Sequence, residues 1–347
     1  MTDSIISHGQ PRLNLITDVP GLRVGNAHDA ALMSGVTVLI GDAPLVGAID
    51  VRGGGAATRD CDALSLAGTV DQVHAIALSG GSAFGLAAAT GVQSVLAERG
   101  VGFAVRNARV PIVPSAILFD LTNGGDKAWG ASPPYERLGR QAAEAAGHSF
   151  AIGSAGAGYG ATTATLRGGL GSASQTLPDG TVVGALVAVN PVGSVTIGDT
   201  AIFWAAPCAP GGELGGQRWP ETLPDDALVP RLKDTAPHPS AGEATTLAVV
   251  ATSASLTKAQ AHRLAVMAQT GLARAIYPVH TPLDGDVAFA VSTCHTAPPA
   301  TPHALALLGA AAANVLARAV ARGVYHAAAP PAGWKGPSCW RQRFTKA

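Results

Sequence analysis

A stretch rich in proline and glycine, residues 207–243, interrupts this chain of 347 residues. It holds seven prolines and shows no periodic pattern of apolar residues. Connections of this length are uncommon inside compact domains and are usually functional where they occur. Residues 245–251 (TTLAVVA) follow almost at once and predict a buried strand, because β-branched and apolar residues succeed one another there. The sequence therefore predicts an exposed linker that ends at the first residue of a core strand.

Predicted strands and helices alternate on both sides of this linker. The strands are 35–40, 46–51, 73–78, 181–190, 245–251 and 287–293, and the helices are 83–99, 135–146, 257–275 and 302–324. Such alternation favours layers of sheet and helix around a shared core, so we interpret residues 1–347 as one α/β domain. The last helix is apolar enough to raise the question of a membrane span. Its alanines, together with Arg318 and Arg322, favour a buried helix instead.

Charge and cysteine content exclude several classes of function. The 23 basic residues balance the 23 acidic ones, so the sequence predicts no basic surface for nucleic acid. The four cysteines form no C-x-x-C pair, which argues against a zinc site. The first residues lack the pattern of a secretion signal. We expect a cytoplasmic protein without metal, cofactor, nucleic acid or membrane as partners, and its low charge density is compatible with a homo-oligomer.

Thr245 is the candidate nucleophile. If the bond between Ala244 and Thr245 is cut, the threonine hydroxyl gains a free α-amine beside it. An α-amine has a reference pKa of about 7.7–8.0 and can therefore accept a proton near neutral pH. A threonine hydroxyl paired with its own amine is a known nucleophile. Thr246 competes for this role, but in a strand its side chain faces the opposite side. The pair could also be structural only, since β-branched residues suit strands.

Three further polar residues lie at predicted strand ends. Asp284 and Asp286 precede the strand 287–293, and residues i and i+2 of extended chain face one side, so the two carboxylates could orient Thr245 together. Asp and Gly also favour solvated turns. Asn190 ends the strand 181–190, where its amide could donate to an oxyanion or make a local turn bond.

Two other motifs resemble functional patterns, but the residues around them do not complete either pattern. Ser82 lies between a predicted strand and a predicted helix, yet Phe84 replaces the last glycine of the G-x-S-x-G elbow of α/β hydrolases. Residues 156–161 (GAGYGA) fit a weak dinucleotide fingerprint, but a Rossmann site needs a helix to begin there. The residues that follow are poor helix formers, so we expect no such site.

Eight segments, in order, make the chain resemble the P1 family of peptidases, which includes L-aminopeptidase/D-esterase, β-peptidyl aminopeptidases and nylon-oligomer hydrolases. They are residues 17–25 (TDVPGLRVG), 52–55 (RGGG), 78–85 (LSGGSAFG), 119–121 (FDL), 167–171 (RGGLG), 188–190 (AVN), 244–247 (ATTL) and 282–286 (PLDGD). The resemblance implies a four-layer αββα sandwich like that of N-terminal-nucleophile hydrolases, with its own strand connectivity. It also implies self-cleavage into residues 1–244 and 245–347, which stay paired and assemble into oligomers.

The resemblance also implies roles for individual residues. Thr245 would be the nucleophile, Asn190 an oxyanion donor, and Asp284 and Asp286 the acidic pair behind the nucleophile. The Asp-Gly-Asp pattern is similar to the nylon-oligomer hydrolase branch, whereas Ala244 departs from the usual Asn or Gly before the cut.

Two more positions follow from the resemblance. Arg167 occupies a position where the family commonly has lysine, so it could contact substrate. Tyr159 is the first candidate for the family's active-site tyrosine, and Tyr135 is the second. We therefore expect a self-processing amide hydrolase, either an aminopeptidase or an amidase for oligomers of ω-amino acids. The alternatives are a dinucleotide-binding oxidoreductase and an uncleaved, non-catalytic family member.

Overall fold

The computed structural model describes residues 12–233 and 244–345. Within them the strands are β1 (Leu22–Asp29), β2 (Ser34–Val51), β3 (Thr58–Arg59), β4 (Gln72–Ser79), β5 (Phe103–Val105), β6 (Ala108–Val110), β7 (Ser115–Ile117), β8 (Gly169–Thr176), β9 (Val182–Val189), β10 (Leu247–Ala254) and β11 (Val287–Thr296). The α-helices are α1 (Ala88–Glu98), α2 (Tyr135–Glu144), α3 (Lys258–Ala273), α4 (Pro302–Tyr325) and α5 (Trp340–Phe344).

One hydrogen-bonded sheet joins nine of these strands in the order β3-β7-β4-β2-β11-β10-β9-β8, with β1 also paired to β2. The long strand β2 takes part in both halves of the sheet. Its first half pairs with β1 and β4, and its last residues, 46–51, pair with β11. The hairpin of β5 and β6 is separate.

The two halves of the sheet face each other across an apolar core that includes Leu39 of β2, Ile76 of β4, Val249 of β10 and Phe289 of β11. Side chains alternate between the two faces of a strand, so the neighbouring residues point outward to helices. Val250 thus packs with residues of α3 and α4 in a second cluster.

On the other half of the sheet, Val38 of β2 packs with residues of α1 and α2 in a third cluster. The resulting order is helix, sheet, sheet, helix, which is the predicted αββα sandwich. Both faces of β10 are buried, and this is why its sequence is continuously apolar.

The fold differs from the sequence prediction at several places. Strands β1 and β8 were not among the predicted strands. The strands predicted at 35–40 and 46–51 are one strand, β2, whose register with β4 shifts between Ile40 and Leu45. Pro44 lies in this irregularity, where its missing N–H costs no ladder hydrogen bond. The helix predicted at 83–99 begins with a 3-10 segment, Ser82–Ala87, and becomes α-helical only at Ala88.

Helix α4 is long and apolar enough to span a membrane by composition, and 67% of its most apolar window is buried within the fold. It packs against β8, β9 and α3. Its apolar residues therefore supply one side of the core, as the sequence predicted.

Candidate active site

The end of one central strand and the beginnings of two others meet at one edge of the sheet. Strand β10 lies between β9, which is antiparallel to it, and β11, which is parallel to it. Consequently Asn190, just after β9, lies beside Thr245, just before β10, and Asp286, just before β11, lies on the other side. The three sequence-predicted positions are brought together by strand direction alone.

Thr245 is buried, with 1% of its surface exposed. Its backbone N–H donates to the Asn190 carbonyl oxygen at 2.9 Å. Its hydroxyl donates to the carbonyl oxygen of Ala244 at 2.6 Å, and the Gly285 N–H donates to that same oxygen at 2.8 Å. The carbonyl of the predicted cleavage site therefore contacts the hydroxyl of the predicted nucleophile and a backbone N–H donor.

The Asn190 side-chain amide is fixed in one orientation. Its Oδ1 accepts from the Thr162 N–H at 3.0 Å and from the Lys233 Nζ at 2.9 Å, while its Nδ2 donates to the Phe119 carbonyl at 3.1 Å. Because two obligate donors face one end and a carbonyl faces the other, the amide cannot be reversed. Of its two Nδ2 hydrogens, the contacts among the described residues use one.

Both carboxylates behind Thr245 are fully buried. Asp284 accepts from the Val192 N–H at 2.9 Å and from the Thr281 hydroxyl at 2.7 Å. Asp286 accepts from the Thr246 N–H at 2.8 Å, and its second oxygen lies 2.9 Å from Nδ1 of His280. Burial, and then the charge of Asp286, raise the pKa of Asp284 above that of an ordinary carboxyl group. The turn that carries this pair is therefore held firmly against the start of β10.

Arg167 and Tyr159, the predicted substrate contacts, lie against each other. The Arg167 guanidinium is buried and donates to the carbonyl oxygens of Ala328, Ala329 and Tyr159. Its Cζ lies 5.5 Å from the centre of the Tyr159 ring and 4.8 Å from that of Trp334. These contacts hold the last part of the chain, and the substrate-binding role stays a prediction.

The other tyrosine considered from the sequence, Tyr135, is buried and donates to the Ser34 hydroxyl at 3.2 Å. The backbone beside the Asn190 amide is that of Phe119. The side chain at this position is therefore the phenyl ring of Phe119, which carries no hydroxyl group and cannot be the active-site tyrosine that the resemblance implies.

A family model, described as peptidase family S58, matches residues 14–336. The chain belongs to this family.

Two S58-like relatives illustrate the range of activities named within the group. An uncharacterized aminopeptidase of Mycobacterium tuberculosis is 41% identical over 335 residues, covering 91% of this chain and 94% of the relative. A 6-aminohexanoate-oligomer endohydrolase of Kocuria sp. is 32% identical over 298 residues, covering 84% and 78%. The family resemblance read from the sequence motifs is thus confirmed, and the chain is a hydrolase of peptide or other amide bonds.

The fold of this S58 member also resembles solved structures. The L-aminopeptidase D-Ala-esterase/amidase of Ochrobactrum anthropi, described as a variant of the Ntn-hydrolase fold, superposes with a TM-score of 0.66 at 19% identity. The match covers 95% of this chain and 92% of that one. The predicted fold class is confirmed, since the similarity extends over nearly the whole of both chains.

The alternative sites from the sequence do not have the geometry they need. Residues 156–161 hold only a short 3-10 turn, Gly156–Gly158, and no α-helix begins there, so the Rossmann interpretation is wrong. Thr246, the competing nucleophile, points its hydroxyl into a buried position where the described residues offer no hydrogen-bond partner. Among these same residues no group of three or more His, Cys, Asp or Glu side chains could hold a metal ion.

Two groups that contact the predicted site residues were missed from the sequence. The backbone N–H of Gly285 carries no side-chain signal, although the Asp-Gly-Asp pattern already marked its position. Lys233 lies 12 residues before Thr245 in an irregular segment, where neither spacing nor pattern indicates a function. The residues of the predicted linker from 234 to 243 lie outside the described part of the chain.

Proposed function

We propose that this S58 member cuts its own backbone between Ala244 and Thr245 and then uses the freed threonine to hydrolyse amides. One observation carries the proposal: the Thr245 hydroxyl and the Gly285 N–H both contact the Ala244 carbonyl. Because Thr245 is buried in the uncut chain, an external substrate has no direct access to the hydroxyl. The carbonyl in reach is the one that precedes it.

In the first step the Thr245 oxygen attacks the Ala244 carbonyl carbon, and the Gly285 N–H stabilises the negative oxygen that forms. The C–N bond then breaks, the hydroxyl proton ends on the Thr245 nitrogen, and an ester joins the two residues. Water hydrolyses this ester, which restores the hydroxyl and leaves a carboxylate on Ala244. The products are residues 1–244 and a second chain that begins with a free threonine amine.

In turnover, the same hydroxyl attacks a substrate amide while the Thr245 amine accepts its proton and passes it to the leaving amine. The second Nδ2 hydrogen of Asn190 would donate to the oxyanion, an interaction worth about 3 kcal/mol at comparable sites. Water then releases the acyl group from Thr245. Asp284 and Asp286 would hold the turn and the start of β10 in this arrangement.

The substrate would be a linear amide, either a peptide with a free N-terminus or an oligomer of ω-amino acids. Relatives named for each activity match over most of the chain. Turnover of an L-alanine anilide, a β-alanyl amide and a 6-aminohexanoate dimer by the purified protein distinguishes these substrates.

A matched pair of variants tests the nucleophile. Thr245→Val removes the hydroxyl with little change of shape, and Thr246→Val does the same one residue later on the opposite face of the strand. We expect intact mass to give one uncut chain for T245V and two chains for both the wild type and T246V. Cleavage of T245V at the same bond would refute Thr245 as nucleophile. An uncut but folded wild type would instead support the non-catalytic family member.

A further inference from the structure

The ammonium of Lys233 forms hydrogen bonds with Asn190, the residue whose carbonyl oxygen accepts from the Thr245 N–H. The Lys233 Nζ donates to the Asn190 side-chain Oδ1 at 2.9 Å and to the Asn190 backbone carbonyl at 3.0 Å. That carbonyl is also the acceptor of the Thr245 N–H at 2.9 Å. One oxygen thus joins the lysine nitrogen to the nitrogen that would become the free amine.

Several contacts of the Lys233 segment lie away from the bond between Ala244 and Thr245. Its own backbone N–H donates to the Val192 carbonyl at 2.9 Å, and the Val192 N–H donates to Asp284. Two residues earlier, Arg231 forms ion pairs with Asp226 and Asp199. The segment that carries the lysine is therefore held by contacts that a cut before Thr245 leaves intact.

We propose that Lys233 is a positioning residue of the processed enzyme, which orients the Asn190 amide and keeps the freed Thr245 amine in its neutral, proton-accepting form. This inference rests on the proposed function, since the amine exists only after cleavage. It assigns a role to the first chain's last described segment: that segment supplies a charge to the nucleophile carried by the second chain.

The physical reason is repulsion between two like charges. Both nitrogens lie within 3.0 Å of one oxygen, so they are less than about 6 Å apart, a range in which a positive charge disfavours a second one. The ammonium of Lys233 would therefore lower the pKa of the Thr245 amine. Without the Lys233 ammonium, the amine would stay protonated up to a higher pH, and below that pH it could not act as a base.

The carboxylates near Thr245 act in the opposite direction to Lys233. Among the described residues, Asp284 forms a backbone bridge with Ala244, and Asp286 accepts from the Thr246 N–H and contacts His280. Arg52, at the end of β2, pairs its side chain with Asp50. Ionised carboxylates would raise the pKa of a neighbouring amine, and the Lys233 ammonium would offset this effect.

The test is the pH profile of kcat/KM for the wild type, Lys233→Met and Lys233→Arg. Arg109→Met, on the exposed hairpin of β5 and β6, controls for the loss of one positive charge. Loss of the ammonium should move the acidic limb of K233M upward by about one pH unit, which lowers the rate on that limb about tenfold. K233R and R109M should keep the wild-type limb.

Intact mass, measured first, separates the possible failures. An uncut, inactive wild type refutes the proposed function itself. A cleaved and active wild type whose acidic limb coincides with that of K233M overturns the role of Lys233, as does a K233M profile lowered equally at every pH. An uncut K233M beside a cleaved K233R also overturns it, because the charge would then act before any amine exists.

Discussion

Gly285→Ala is expected to displace the nucleophile without unfolding the protein. A Cβ atom at Gly285 would lie 2.6 Å from the Thr245 hydroxyl oxygen and 2.8 Å from the Gly55 carbonyl oxygen, whereas ordinary contacts begin at 3.4 Å. The turn cannot easily retreat, because the Gly285 N–H is bonded to Ala244 and the Asp284 carbonyl accepts from the Gly55 N–H. The hydroxyl must therefore move, by about 0.8 Å or by rotation about χ1, and the Gly55 backbone must give by about 0.6 Å. A displacement of the hydroxyl near 1 Å can cost about 100-fold in rate.

That loss corresponds to about 2.7 kcal/mol of transition-state stabilisation. The assay is a time course of self-cleavage by intact mass, followed by kcat/KM per cleaved molecule. Gly211→Ala is the matched control, since a Cβ atom there has no neighbour within 4 Å. If G285A cleaves itself and turns over substrate as fast as G211A, the Thr245 hydroxyl does not react from the position described.

Three further outcomes are expected, with unfolding measured in urea on uncut T245V protein. Thr246→Val removes a buried hydroxyl that has no partner among the described residues and should raise the free energy of unfolding by about 1 kcal/mol; a decrease would contradict this. The pKa of Asp284 is raised by burial and by Asp286, so its contribution to stability is complete below the unfolded-state pKa of about 4 and is lost as pH rises through the folded-state value. The unfolding free energy of Asp284→Asn should therefore fall less than that of its parent as pH rises above about 4, and parallel curves would refute this. Arg167→Lys loses the planar guanidinium that donates to three carbonyl oxygens, so it should lower the free energy of unfolding by about 2 kcal/mol. KM, measured on the cleaved enzyme, should stay unchanged. A raised KM without destabilisation would support substrate binding by Arg167 instead.

Periodicity and residue type were sufficient for most of the fold. Most helices and strands of the core were found because they bury apolar residues in a regular pattern, as α3 and β10 do. Strands β1 and β8 were missed, since their glycines and polar residues interrupt the apolar pattern. The continuity of β2 was not predictable in this way, since Gly41 and Pro44 are typical of a turn and only pairing with β4 makes them an irregularity within a strand. The 3-10 segment Ser82–Ala87, directly before α1, was likewise not predictable because it depends on backbone conformation: Gly81 and Ser82 both have positive φ.

The site was predictable where it depends on side-chain type and strand direction. Thr245, Asn190, Asp284 and Asp286 lie at strand ends, and the fold places those ends side by side. The contributions of Lys233 and of the Gly285 N–H depend on three-dimensional contacts between distant segments, for which one sequence holds no signal. Cytoplasmic location and assembly into a homo-oligomer remain predictions.

The strand order has a consequence for a chain cut before Thr245. The second chain would contain β10 and β11. These two strands lie in the sheet between β2 and β9, which belong to the first chain. Neither product could leave without breaking two complete ladders of backbone hydrogen bonds and exposing both faces of the sandwich. Cleavage of this bond would therefore release an amino group without releasing either fragment. The two fragments would be expected to unfold together in one cooperative transition.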